Sequence, residues 1–281
     1  MSTHTIFKAY RYQLLPLDRN ETKDLYQDYS VEQIISRKNE FFAEALNHLP
    51  KVSHKRVEVN VFIQEIQQDF FRIHLAPSRP LTRETTDFRR EKVENWPHID
   101  AYVLNKPEDQ LLIIQDRPTA FTNTDTVANI ILRSTRGALD KFGLSLQIEP
   151  LFNEAYFWDL VNQYNNKITW VEFDFVTPNM ANISKTLAST LKSLGKDTNA
   201  VKEQLTLRSD PSSSLDISHN NPTIQGLVDY TSRGAGDIKL KIKGIRKRFQ
   251  TSNSRREVHL SGVEITADAE DIVEIIREAL R

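Results

Sequence analysis

Apolar and polar positions alternate along much of the chain, and the alternation is interrupted by stretches with helical spacing. Ile6, Tyr10, Tyr12 and Leu14 alternate across Thr5 to Leu15, and the run ends at Pro16, which predicts a strand closed by a turn. Ser30 with Gln33 three residues on forms a capping box ahead of Val31, Ile34, Ile35, Phe41, Phe42, Ala45 and Leu49, a helix that stops before Pro50. Val57, Val59, Val61 and Ile63 alternate with Arg56, Glu58, Asn60 and Phe62, and Phe71, Ile73 and Leu75 repeat the pattern, which reads as a hairpin. Arg79 to Pro97 is charged and poor in apolar residues, and is expected to be an exposed loop or irregular strand. Ile99 to Leu104 and Leu111 to Gln115 bracket the turn segment Asn105 to Asp109 as a second hairpin, and a helix over Asp125 to Phe142 ends at Gly143.

The second half repeats this alphabet. A strand over Leu144 to Leu151 precedes a short helix from Asn153 to Tyr164. Ile168 to Val176 follows as a strand with Ile168 and Trp170 on one side and Val171, Phe173 and Phe175 on the other. A helix from Asn182 or Ser184 to about Leu194, a turn over Gly195 to Asn199 and a strand from Val201 to Leu207 come next. Ser209 to Pro222 reads as a loop and Thr223 to Tyr230 as a short helix. Gly234 to Ile245 and Val258 to Ile265 are expected strands, and Asp268 to Leu280 an amphipathic C-terminal helix. The fold class this implies is α+β, with mixed or antiparallel sheets and helices packed on one face. Two subdomains are expected: an N-terminal α+β domain over 1–143 and a C-terminal one over 144–281 that carries a basic strand.

With 281 residues, 39% of them apolar and 27% charged, the chain can bury a core of its own. It has no cysteine, which removes disulfides, thiolate zinc sites, iron–sulfur ligation and thiol nucleophiles together. No leader pattern opens it and no stretch approaches a membrane span, so a cytoplasmic location is expected.

Charge changes the picture more than composition does. The formal net charge is −1, yet between Arg233 and Arg256 nine basic residues face the single acid Asp237, whereas from Glu257 onward seven acids face Arg277 and Arg281. In Gly236 to Arg248, Ile238, Leu240 and Ile242 alternate with Lys239, Lys241 and Lys243. One strand face therefore enters the core while the other presents ammonium groups about 7 Å apart, a spacing that suits successive phosphates. Arg246, Lys247, Arg248, Arg255 and Arg256 continue the charge into the turn, where guanidinium groups can fork onto phosphate oxygens. A solvated strand face neutralised by the acidic C-terminal helix is the plainer account of the same pattern. Phe249 is the one aromatic residue within the basic run, so contact with the backbone is favoured over base stacking. Arg133, Arg136 and Lys141 on the helix ending at Phe142 fit a plain exposed face.

Catalytic patterns are thin. Asp100, Asp116, Glu172 and Asp174 are the carboxylates nearest to strands, and Glu172 and Asp174 project from one face as a metal-dependent nuclease would need, although Lys185 falls on the next helix rather than a paired strand. Polar faces of half-exposed strands look the same. The seven histidines form no HxH, HxxxH or HExxH, and Arg233 to Asp237 is a glycine turn that leads into a strand, whereas phosphate loops lead into a helix. No metal or other cofactor is expected.

The middle and C-terminal parts resemble the RexA-type phage-exclusion proteins and, more distantly, the KwaB subunit of the Kiwa defence system. The resemblance rests on Leu146-Gln147-Ile148-Glu149-Pro150-Leu151 after a helix beginning near Thr124-Asp125, on the strand Ile168 to Val176, and on Ser214-Leu215-Asp216-Ile217. It covers about half the chain; the first hundred residues have no counterpart in it. It implies a bacterial antiviral protein that binds DNA without sequence preference, as a homodimer, without enzymatic activity of its own, alongside a partner protein of the defence system. Combined with the basic strand, this gives the expected function: a component of an anti-phage system that grips DNA or another nucleic acid through Lys239, Lys241, Lys243, Arg246, Lys247, Arg248, Arg255 and Arg256. The alternatives are a protein-interaction or sensor subunit without nucleic-acid binding, and a metal-dependent nuclease.

Overall fold

The structure, a computed structural model, describes residues 4–18, 29–49, 52–177, 189–265 and 267–280. In chain order it begins with β1 (Thr5–Pro16), α1 (Val31–Asn47), β2 (Val52–His54), β3 (Val57–Gln67), β4 (Phe70–Pro77), β5 (Leu81–Glu84), β6 (Arg90–Val93), β7 (Ile99–Leu104), β8 (Leu111–Gln115) and α2 (Thr124–Lys141). It continues through β9 (Leu144–Pro150), α3 (Glu154–Gln163), β10 (Ile168–Val176), α4 (Ser189–Asp197), β11 (Lys202–Arg208), α5 (Pro222–Tyr230), β12 (Gly236–Ile242), β13 (Phe249–Gln250), β14 (Glu257–Leu260), α6 (Gly262–Ile265) and α7 (Ala269–Ala279). The fold is α+β, as its patterning requires, with antiparallel sheets.

The chain forms two compact units, each from discontinuous stretches. One holds Met1–Lys8, Lys38–Phe142 and Glu257–Arg281, and the other Ala9–Arg37 and Gly143–Arg256. One border falls between Phe142 and Gly143, and each unit also takes a stretch from the other half of the chain. Strand β1 passes from the first unit into the second.

In the first unit the strand order is β14-β1-β8-β7-β4-β3-β2. The two expected hairpins are β3–β4, read from alternation, and β7–β8, read from the turn between its strands, and they are joined edge to edge by antiparallel β4–β7 pairing. Phe71, Ile73, Leu75, Ala101, Val103, Leu112 and Ile114 are buried, as are Val127, Ile130, Ile131 and Leu139 of α2. Asn123 caps α2 by accepting from the Thr126 N–H at 2.9 Å. The charged segment after residue 79 contains β5 and β6, a small hairpin with its strands almost wholly exposed.

One sequence expectation fails here. Val258 to Ile265 is not a single strand, because β14 ends at Leu260 and α6 begins. The Ser261 N–H donates to Glu264 Oε2 at 2.5 Å and the Glu264 N–H donates to Ser261 Oγ at 3.3 Å. That reciprocal pair is a capping box, and it turns the backbone helical despite the apolar alternation around it.

In the second unit the later half of β1 pairs antiparallel with β9, from Tyr10 opposite Pro150 to Pro16 opposite Leu144. The helix predicted after Ser30 starts on the capping box read from the sequence: the Ser30 N–H donates to Gln33 Oε1 at 2.9 Å, and the Gln33 N–H to Ser30 Oγ at 3.3 Å. A four-stranded antiparallel sheet follows the order β11-β10-β12-β13. Its apolar face carries Val171, Phe173, Phe175, Ile238 and Leu240, which cluster with Phe157, Trp158 and Val161 of α3 and Leu227, Val228 and Tyr230 of α5. Each fully buried side chain of this kind is worth about 1.5–3 kcal/mol, so the sheet is fixed from this one face. The polar face is left to carry chemistry. Gly236 permits the closest approach of β12 to β10, since a Cβ there would collide with the backbone carbonyl of Asp174. The expected start of the helix near Asn182 or Ser184, and Lys185 with it, lies outside the described residues; its described part, α4, runs on to Asp197, through the segment expected to turn.

Candidate nucleic-acid interface

Alternation along β12 sends Ile238, Leu240 and Ile242 into the core and Lys239 and Lys241 to the opposite face. Lys243 lies just past the strand, in a reversal where Gly244 takes φ +84°, a left-handed conformation that only glycine adopts freely. Arg246, Lys247 and Arg248 follow before β13 returns along β12. Lys241, Lys243, Arg246, Lys247 and Arg248 are all exposed, and among the described residues none of them forms an ion pair.

Lys239 differs from the others. Its neighbour on β10 is Glu172, and its Nζ lies 2.9 Å from Glu172 Oε1 while also donating to Asp174. Burial opposes its charge, but the hydrogen bonds to Asp174 and Glu172, with the attraction of their charges, together outweigh burial and raise its pKa above the ordinary lysine value. The cation is thus compensated within the sheet by β10, and not held out for an incoming phosphate. The same contact occupies the two carboxylates considered for metal binding.

Arg255 and Arg256 are also placed structurally. Arg255 donates to the Ser252 carbonyl at 3.0 Å and to the Tyr10 hydroxyl at 2.9 Å, with its guanidinium 5.7 Å from the Tyr10 ring centroid. Arg256 is half-buried, and burial, then the nearby charge of Arg233, lowers its pKa. Of the eight cations singled out in the sequence, the structure therefore gathers Lys241, Lys243, Arg246, Lys247 and Arg248 at one end of the sheet and its turn. Lys239, Arg255 and Arg256 it anchors to protein groups.

Strand pairing adds residues that the linear reading missed. Arg208 of β11 stands opposite Trp170 of β10, which stands opposite Lys241 of β12. A register shift between Ile168 and Trp170 separates two residues expected on the same side: Ile168 pairs with Ile242 and joins the core, whereas Trp170 takes the polar face. Bulges re-aim side chains in this way. The Arg248 guanidinium lies over the Trp170 indole, 4.8 Å from its centroid. Arg208 and Lys167, both exposed and without an ion pair among the described residues, belong to the same end. Phe249, the aromatic residue within the basic run, packs against Tyr164 and the core, 5.6 Å between ring centroids.

The remaining candidates lie in the first unit. Asp100 is buried, its carboxylate 2.6 Å from Arg72 Nη2 and 2.6 Å from His74 Nδ1, while Asp116 lies 3.8 Å from Lys8 Nζ. Arg133, Arg136 and Lys141 are exposed on α2, with Arg136 3.8 Å from Asp140 one turn on. Among the described residues no group of three or more histidines, aspartates and glutamates is arranged to hold a metal, and no helix is long and apolar enough to cross a membrane.

Comparison with family models, with curated proteins and with solved structures returns no match for this chain.

Proposed function

We propose that the second unit binds nucleic acid by its phosphate backbone, without reading sequence, through Lys241, Lys243, Arg246, Lys247 and Arg248. The observation that carries this reading is that these five cations are exposed around one strand end and turn with no ion pair among the described residues. Charges left uncompensated in this way are available to displace counterions from a polyphosphate, and the resulting affinity falls steeply with salt. Engagement of all five on a duplex gives a slope of log K against log salt of about −4 to −5. The biological setting proposed with it, anti-phage defence by a cytoplasmic protein acting as a homodimer, is supported by the resemblance to the RexA-type proteins.

The test is fluorescence anisotropy of labelled DNA and RNA over a salt series, with wild-type protein and a Lys241→Glu/Lys243→Glu variant. Salt-sensitive binding that the variant loses for every sequence is expected; equal affinity of the two proteins would sink the reading. In cells, expression should lower phage plating efficiency, and the same variant should restore it.

A second reading draws on the segregated charge. Helix α7 exposes Glu270, Asp271, Glu274 and Glu278, an acidic face that the basic turn of another copy could dock against. It predicts self-association that weakens with salt and persists without nucleic acid, measurable by sedimentation. The nuclease reading has little geometric support, since Glu172 and Asp174 both hold Lys239.

A further inference from the structure

Resting on the phosphate-binding reading, we propose that this end of the sheet prefers single-stranded nucleic acid, with Arg248 laid on Trp170 as the platform for one base. Arg208, Trp170 and Lys241 occupy one row across β11, β10 and β12; Trp170 shares the polar face with Glu172 and Asp174 by alternation, and the bulge before it turns Ile168 into the core. Trp170 is only 7% exposed, so the ring itself is covered; the exposed side chain above it is that of Arg248, 4.8 Å from the centroid.

An arginine on a free stem is a poor stacking surface because it must first lose its rotamer freedom. Held over an indole, it is already positioned, and guanidinium planes stack on unpaired bases. Lys241 and Arg208 flank the platform from the neighbouring strands, about 10 Å apart at two strand spacings, so that both can reach phosphates on either side of a stacked base. Lys167 and Lys243 extend the positive charge along the same edge, while Asp210, an acid on the loop after β11, has its carboxylate held by the Ser212 N–H and hydroxyl. In a duplex the bases are stacked on one another, so such a platform gains nothing there.

The experiment titrates the full chain with a short oligodeoxythymidine strand and with a blunt duplex of matching length, following anisotropy of the labelled nucleic acid and tryptophan emission of the protein. The single strand should bind more tightly and quench the emission. Arg248→Lys, which keeps the charge but not the plane, should weaken the single strand by about fivefold or more, with duplex affinity and salt slope unchanged. Trp170→Phe should remove the quench while Trp96 and Trp158 remain. Arg248→Lys acting equally on both substrates or on neither, or a quench that survives Trp170→Phe, would overturn the platform while leaving salt-dependent binding intact. Absence of binding to either substrate would overturn the phosphate reading itself.

Discussion

Lys239 and Glu172 face each other across β12 and β10, with Nζ 2.9 Å from Oε1, and Asp174 on the same strand holds the same ammonium. A lysine that looks identical in sequence to Lys241 is thereby removed from the cations available to a ligand.

The two lysines should separate experimentally. Lys241→Gln is expected to lower the salt slope by about one and weaken nucleic-acid binding uniformly across sequences. Lys239→Gln should leave the slope unchanged and cost roughly 1 kcal/mol or less of stability, because the pair is partly solvated. Since the pKa of Lys239 is raised in the fold, its stabilisation is fully present below the ordinary lysine value and is lost only as pH rises above it. The stability difference between wild type and Lys239→Gln should therefore be the same at pH about 6 and about 9, as urea unfolding can check.

Phe173 is fully buried at the centre of the apolar face of β10. Phe173→Ala should destabilise the second unit by about 3–5 kcal/mol, the usual cost of a large cavity. Urea unfolding monitored by tryptophan fluorescence measures it, and a loss below about 1 kcal/mol would mean that the sheet does not depend on this core.

Lys38, in α1, is 7% exposed, and burial lowers its pKa to about 8. In the unfolded chain the group takes up a proton near 10.5, so folding is penalised wherever the native lysine must be charged, fully below pH about 8. Stability should rise as pH climbs from about 8 towards 10.5. Lys38→Met should abolish that rise, an effect read by thermal melts across the range.

Ser30 and Gln33 exchange two hydrogen bonds at the start of α1. Ser30→Ala should cost about 1 kcal/mol, and Ser30→Asp, which can still accept from the backbone, should recover most of it. Hydrogen exchange of the first turn of α1 provides a local readout.

Much of the fold was legible because it depends on local chemistry. Alternation marked β3, β4 and β10; the turn residues Asn105 to Asp109 marked the β7–β8 hairpin; Ser30 with Gln33 marked the start of α1; and Asn153, which accepts from the Ala155 N–H at 3.0 Å, sits where the short helix α3 is expected to begin. The misreading at Val258 to Ile265 was local too. Ser261 and Glu264 carried a capping-box signal in the sequence, but the alternating valines and isoleucines around them read as strand.

The α+β class, the order of most elements and the existence of a basic strand and turn are written in the amino-acid order, since each follows from spacing within a few residues. Tertiary structure alone decided which charges are free, because ion pairing depends on neighbours in space: Glu172 and Asp174 compensate Lys239, and Tyr10 takes Arg255, from positions far away in the chain. It also decided the membership of the site. The registers of β11 and β12 on β10 set Arg208 and Lys241 beside Trp170, and registry between strands is fixed by the packing of their apolar face, not by the polar residues that it aligns.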